Sequence, residues 1–188
     1  GKTRIDDPSL ADFYAAAERL GAVLFLHPTD VVFPAICDGY DGALYNSLGK
    51  VIEVSIAAYR LVLSGIMERH PNLKVFAVHG GGYLGAYHGR IDHAWGARAD
   101  AHAGLPKPPT HYLKKIYFDT VVFTPDQLKA LVETYGADHV VLGTDYPFDM
   151  MEENPIKLIE SVPRLSRADK DRIMGGNAAR LLKLGRRS

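Results

Sequence analysis

The sequence predicts an α/β fold built on a parallel sheet. Three observations carry this. Four short apolar runs, residues 22–27, 73–79, 115–120 and 140–145, are bounded by turn residues and have the length of strands buried on both faces. Between them lie longer stretches with apolar residues at helical spacing, and strands alternating with helices imply parallel pairing. The chain has 188 residues, 47% of them apolar, which suits one domain with a real core.

In chain order, Asp6-Asp7-Pro8 reads as a helix start, with a capping acid and proline in the first turn. The helix is expected over 11–20, with Phe13, Ala16, Ala17 and Leu20 on one face and Gly21 as its stop. The first strand ends at His27-Pro28. A long irregular loop is expected over 29–48, containing Pro34 and Cys37, and loops of this length are usually functional. One long helix is expected over 51–68, with Ile52, Ile56, Tyr59, Leu63, Ile66 and Met67 as its apolar face.

The turn His70-Pro71-Asn72 precedes the second strand, which ends at His79 and runs into Gly80-Gly81-Gly82. A helix over 83–99 carries Arg90 and Arg98, eight residues apart and so roughly on one face. A Pro-rich loop spans 104–109, and the third strand ends at Asp119-Thr120. Pro125 opens a helix that Gly136 ends, and the fourth strand stops at Asp145-Tyr146-Pro147. Helices are then expected over 153–161 and after Ser166, and a terminal one over 178–182 with Asn177 as its N-cap. With no interior linker, low-complexity segment or sequence repeat, residues 1–188 read as a single unit.

Lys+Arg and Asp+Glu both count 22, so the formal charge is zero. That argues against nucleic acid or an anionic membrane as partner, since both need a basic surface. Cys37 is the only cysteine; it excludes an internal disulfide and suits the cytoplasm. No apolar run approaches the about 20 residues of a membrane span, and the most apolar stretch, 54–67, is interrupted by Arg60. The opening Gly1-Lys2, without an initiator Met, reads as the middle of a longer chain.

The chemistry is expected where the strands end. In parallel β/α proteins the C-terminal strand ends face the active site, and here these positions hold His27, His79, Asp119 and Asp145. Two imidazoles and a carboxylate brought together suit a divalent metal such as Zn²⁺. A lone strand-end histidine is more often a packing residue; three polar strand ends in register are harder to read that way. Asp119 reads equally as a turn acid. His70 reads as a cation at a helix C-terminus, and His88, His93, His102, His111 and His139 as surface or loop residues. The His-Gly-Gly-Gly run is similar to the oxyanion loop of lipase-type hydrolases, but that chemistry needs a G-x-S-x-G elbow, which the sequence lacks. Its glycines are expected to let backbone approach a ligand. Arg90 and Arg98 read either as a solvated basic face or as a carboxylate clamp.

Several motifs taken together resemble the amidohydrolase-2 family. They are Phe25-Leu26-His27-Pro28, His70-Pro71-Asn72-Leu73-Lys74 leading to His79-Gly80-Gly81-Gly82, Leu142-Gly143-Thr144-Asp145-Tyr146-Pro147-Phe148, and Gly176-Asn177-Ala178-Ala179-Arg180-Leu181-Leu182. This branch includes aminocarboxymuconate-semialdehyde and γ-resorcylate decarboxylases. The resemblance implies a (β/α)8 barrel with one catalytic divalent metal, Zn²⁺ first and Mn²⁺ second. It places His27 and Asp145 as metal ligands on strands five and eight, and His79 as the strand-six acid/base. It matches Arg90 to an arginine that reaches a neighbouring subunit's substrate carboxylate, hence a homo-oligomer. Family members begin with a His-x-His or Glu-x-His pair on the first strand. This sequence has no such pair and holds only strands five to eight. It is therefore expected to be the C-terminal half of a barrel, a fragment or split chain whose partner is the N-terminal half-barrel, or else a half-barrel that dimerises to close.

The implied activity is non-oxidative decarboxylation of a small aromatic or dienoic carboxylic acid, with His79 protonating carbon and Asp145 binding metal and shuttling a proton. The first alternative is a metal-dependent hydrolase of a lactone or amide. The second is a non-catalytic half-barrel without metal.

Overall fold

The structure, a computed structural model, describes residues 3–31 and 34–185. Gly1 and Lys2, and Val32 and Phe33 of the expected 29–48 loop, lie outside the described residues. Four strands form one parallel sheet in sequential order: β1 (Val23–Leu26), β2 (Lys74–Ala77), β3 (Tyr117–Asp119) and β4 (Val140–Val141). The helices are α1 (Ala11–Leu20), α2 (Asp41–Leu44), α3 (Lys50–Leu63), α4 (Ile66–Arg69), α5 (Leu84–Ala97), α6 (Pro109–Leu113), α7 (Pro125–Tyr135), α8 (Pro155–Ser161), α9 (Arg167–Asp171) and α10 (Asn177–Leu181).

The strands are shorter than the apolar runs, for reasons of hydrogen bonding. Lys115 and Ile116 give their N–H groups to Tyr112 and Leu113 at the end of α6, so β3 starts later. Beyond Val141, Leu142 N–H turns to Ile173 O (2.9 Å) and Gly143 N–H to Thr120 Oγ1 (3.1 Å), so β4 leaves the ladder early.

Register fixes the two faces of the sheet, because Phe25 aligns with Phe76, Phe76 with Tyr117, and Asp119 with Val141. The alternate positions Val75, Ala77, Phe118 and Val140 are fully buried under the helices, with Ala58, Leu61, Leu84, Leu128, Ile159 and Ile173. The other face is open at β1: Phe25 is 62% exposed, stacked on Phe76 at 5.1 Å.

Several helices depart from expectation. The 29–48 segment is not irregular throughout: a 3-10 turn spans Pro34–Cys37, α2 starts at Asp41, and a π-helical turn (Tyr45–Gly49) leads directly into α3. Gly49 has no Cβ to strike Val31, whose Cγ2 would lie 2.7 Å from it, so the loop packs against that turn. The expected 51–68 helix is broken at Gly65 (φ 74°), which gives α3 and α4. The buried face of α3 is Val54, Ser55, Ala58, Leu61 and Val62 rather than the Ile52 stripe.

On α1 the buried residues are Tyr14 and Ala17, while Phe13 and Leu20 are exposed. Asp7 caps the 3-10 turn before α1 through Ser9 N–H (2.9 Å), as expected. Asn177 is not an N-cap. It continues a helix from the π-helical turn Arg172–Gly176, and its buried Nδ2 donates to Ala137 O and Val140 O (both 2.7 Å). The edge of β4 is thus partly covered by this C-terminal segment.

Candidate metal centre and adjoining cavity

The ends of β1, β2 and β4 bring His27, His79 and Asp145 together. One ligand-capable atom from each lies within 4.8 Å of the others. His27 Nε2 is 3.4 Å from Asp145 Oδ1, and His79 Nε2 is 3.5 Å from Asp145 Oδ2, so the carboxylate bridges the two imidazoles. The rings stand edge to face with centroids 5.4 Å apart. All three side chains are partly buried. His79 (φ 55°) and Asp145 (φ 62°) both sit in the left-handed region, which costs a non-glycine residue about 1–3 kcal/mol and clusters at functional sites. Two imidazole nitrogens and a carboxylate are the donor set of a borderline divalent ion, and these residues fit one.

Asp119 stands apart from this cluster. Its carboxylate accepts from the backbone N–H of His79 (2.9 Å), Gly80 (2.8 Å) and Val121 (3.0 Å). Burial pushes its pKa up, an effect that those three donors offset only in part. The turn-acid reading is the one the geometry matches: Asp119 stitches the end of β3 to the turn after β2. Gly143 is required beside it, because a Cβ there would lie 2.8 Å from Asp119 Cβ.

The three glycines after His79 are required by close packing against the protein itself. All have positive φ. Cβ atoms would strike Val122 at Gly80, Phe118 at Gly81 (2.6 Å), and Val51 O and Ser55 Oγ at Gly82. Only Gly82 also lines the cavity. Ser55, buried on α3, locks the turn by donating to Val51 O (2.9 Å) and accepting from Tyr83 N–H (2.8 Å).

A cavity of about 600 Å³ opens beside the cluster. Its wall includes His27, His79 and Asp145, an apolar side of Val121, Val122, Phe123, Phe148 and Met150, and a polar side of Asn46, Ser47, Lys50 and Gln127. Phe148 stacks on the His27 ring at 5.6 Å. The sequence reading missed Lys50, at the start of α3, and Phe123 and Phe148, which sit on connections rather than strand ends. For Lys50 a signal existed: a cation at the start of an expected helix opposes the helix dipole.

Arg90 and Arg98 do not line the cavity. Arg98 lies past the end of α5, so the two do not share a helix face, and its guanidinium pairs with Asp100 at 2.6 Å. Arg90 is exposed on α5. His70, at the C-terminal cap of α4 as expected of a helix-end residue, has its Nδ1 3.0 Å from Glu18 Oε2. Of the other histidines, His93 and His111 are exposed. His102 stacks on Trp95 at 4.6 Å, and His88 packs against Tyr135.

The amidohydrolase family model matches residues 1–184. The chain is 39% identical over 181 residues to 2-amino-3-carboxymuconate-6-semialdehyde decarboxylase from Dictyostelium discoideum, covering 96% of this chain and 50% of that protein. It is 29% identical to γ-resorcylate decarboxylase from Rhodococcus jostii, covering 96% of this chain and 56% of that one. Among solved structures, a dihydroxybenzoic acid decarboxylase from a Polaromonas species, with bound manganese and 2-nitroresorcinol, superposes with a TM-score of 0.84 at 27% identity, covering 97% of this chain and 56% of that one. The chain thus spans about half the length of the curated relatives it matches.

Proposed function

The chain belongs to the amidohydrolase family, and from that premise we propose that it supplies the metal-binding and acid–base half of a non-oxidative decarboxylase acting on a small aromatic or dienoic carboxylic acid. Residues 1–188 act as one unit holding strands five to eight of a (β/α)8 barrel, and an N-terminal half-barrel completes the enzyme. The observation that carries this reading is the His27–His79–Asp145 cluster at the C-terminal edge of a parallel sheet, beside a cavity of about 600 Å³. The family relatives that are decarboxylases favour this chemistry over hydrolysis of a lactone or amide.

His27 and Asp145 would hold the divalent ion, Zn²⁺ or Mn²⁺, with His79 beside it as the acid–base residue. When bound, that ion supplies positive charge that orients the substrate's carboxylate and neighbouring hydroxyl. The protein's own part is proton transfer and desolvation. His79 Nε2 delivers a proton to the carbon bearing the carboxylate; an imidazole is the side chain whose charge changes nearest physiological pH. The carbon–carbon bond then breaks, its electron pair restores the unsaturated system, and CO2 leaves. Asp145 Oδ2, 3.5 Å from His79 Nε2, would take the next proton from water and pass it to that imidazole. Phe148, Phe123 and Val122 offer ring-sized apolar surface and exclude water from the carbon being protonated.

Arg90, exposed on α5 and off the cavity, fits an arginine that reaches a neighbouring subunit's substrate in a homo-oligomer. No described helix is long and apolar enough to cross a membrane. The single, buried, unpaired Cys37 supports a cytoplasmic setting.

The test is an assay of the metal-loaded full-length protein on hydroxybenzoates and muconate-type acids for CO2 release, and on lactones for ring opening. CO2 release supports the proposal. Ring opening without CO2 release from any acid overturns it.

A further inference from the structure

Lys50 is the one lysine or arginine in the described cavity wall. It follows the π-helical turn Tyr45–Gly49, a feature that often marks functional sites because it re-aims side chains. Its Nζ donates to Thr29 O (2.8 Å) and Pro28 O (3.3 Å) and lies 4.7 Å from the centre of the Tyr45 ring. Pro28 and Thr29 directly follow His27, so the ammonium is tied to the loop that leaves the metal centre. An ammonium has three donors, and two of them go to these carbonyls. No described carboxylate is within ion-pair distance of its Nζ, although Asp145 and Asp149 share the cavity wall. A half-buried cation on a cavity wall, held by neutral carbonyls rather than by a close ion pair, can receive an anion that enters the cavity.

We propose that Lys50 is a specificity-determining residue, which selects substrates carrying a second anionic group, a carboxylate or an ionised phenol, in addition to the carboxylate that departs. The inference rests on the decarboxylase reading for the identity of the first anion. The geometry explains why a lysine suits the place. The carbonyls of Pro28 and Thr29 hold its position without neutralising its charge, and the Tyr45 face shields one side of the ammonium from water. The charge is therefore directed to whatever fills the cavity. Asn46 and Ser47, on the π-helical turn, supply neutral donors beside it.

Calorimetric titration of the metal-loaded full-length protein with benzene-1,3-dicarboxylate and with benzoate tests this directly. The wild-type protein should bind the dicarboxylate about tenfold or more tighter than benzoate. Lys50→Met should bring the two affinities within about twofold of each other while leaving benzoate unchanged, and Lys50→Arg should keep the preference. A variant that merely loosened the loop would weaken both acids together and leave their ratio intact. Lys50→Gln replaces Lys50→Met if the methionine variant does not fold. A wild type without preference, or an unchanged ratio in Lys50→Met, overturns the proposal. Failure of the decarboxylase reading shows separately, as absence of CO2 release by a wild type that still discriminates the two acids.

Discussion

Asp145 lies on the loop beyond β4, carries a left-handed backbone and faces two imidazoles at 3.4 and 3.5 Å. A carboxylate so placed is stabilised by a shared cation, so removing it should cost metal before it costs fold. His27→Ala and Asp145→Asn should each lower bound Mn²⁺ or Zn²⁺ in the full-length protein by about tenfold or more, read by elemental analysis. His79→Gln should retain more metal but lose about 10²-fold or more in kcat if His79 is the proton donor proposed. If His79→Gln loses metal as fully as His27→Ala and keeps its kcat when metal is restored, the division of roles is wrong. At this scale the strand-end residues were legible from sequence, because a buried run that stops on a polar side chain announces it. Lys50 was only hinted at, as a cation at a helix start, because its place on the cavity wall depends on a π-helical turn that periodicity does not reveal. Asp119 was ambiguous until its three backbone donors were seen. Asp119→Leu leaves those donors unpaired in a dry site and should destabilise by about 3 kcal/mol or more in denaturant titrations.

Among the elements, the four strands were readable from their apolar runs. Their ends were not, because competing acceptors such as Ile173 O and Thr120 Oγ1 take the N–H groups that would have extended β4. The break between α3 and α4 could be read from Gly65 only after its φ of 74° was known. Helix termini that hold the sheet yield two predictions. Gly82→Ala would drive a Cβ into Val51 O and to 2.5 Å from Ser55 Oγ at a backbone φ of 64°, so nothing soft can yield. A loss of about 2–4 kcal/mol in unfolding free energy is expected, with the turn carrying His79 displaced. Asn177 joins the C-terminal helix to β4 through two carbonyls. Asn177→Leu should cost about 2–4 kcal/mol, because Ala137 O and Val140 O lose their donor. Both are read by chemical denaturation, and a change below about 0.5 kcal/mol in either would contradict the packing described.

Across the whole molecule, the sheet has a finished face and an unfinished one. Helices cover Val75, Ala77, Phe118 and Val140 completely, whereas Phe25 is 62% exposed on the opposite face of β1, where register puts it beside Phe76. The fold class was legible in the alternation of strands and helices. The open face goes with the four strands found among the described residues, too few to close a barrel. If an N-terminal half-barrel completes the enzyme, Phe25 becomes interior there and remains solvent-facing in the 188-residue chain alone. The same substitution should then act with opposite sign in the two settings. In the isolated chain, Phe25→Lys removes exposed apolar surface and should reduce self-association in gel filtration with little change in unfolding free energy. In the full-length protein it buries an unpaired ammonium where an aromatic ring packed, and should cost about 3–5 kcal/mol. An equal effect in both would mean that the second half does not cover this face, and the closed-barrel arrangement would have to be abandoned.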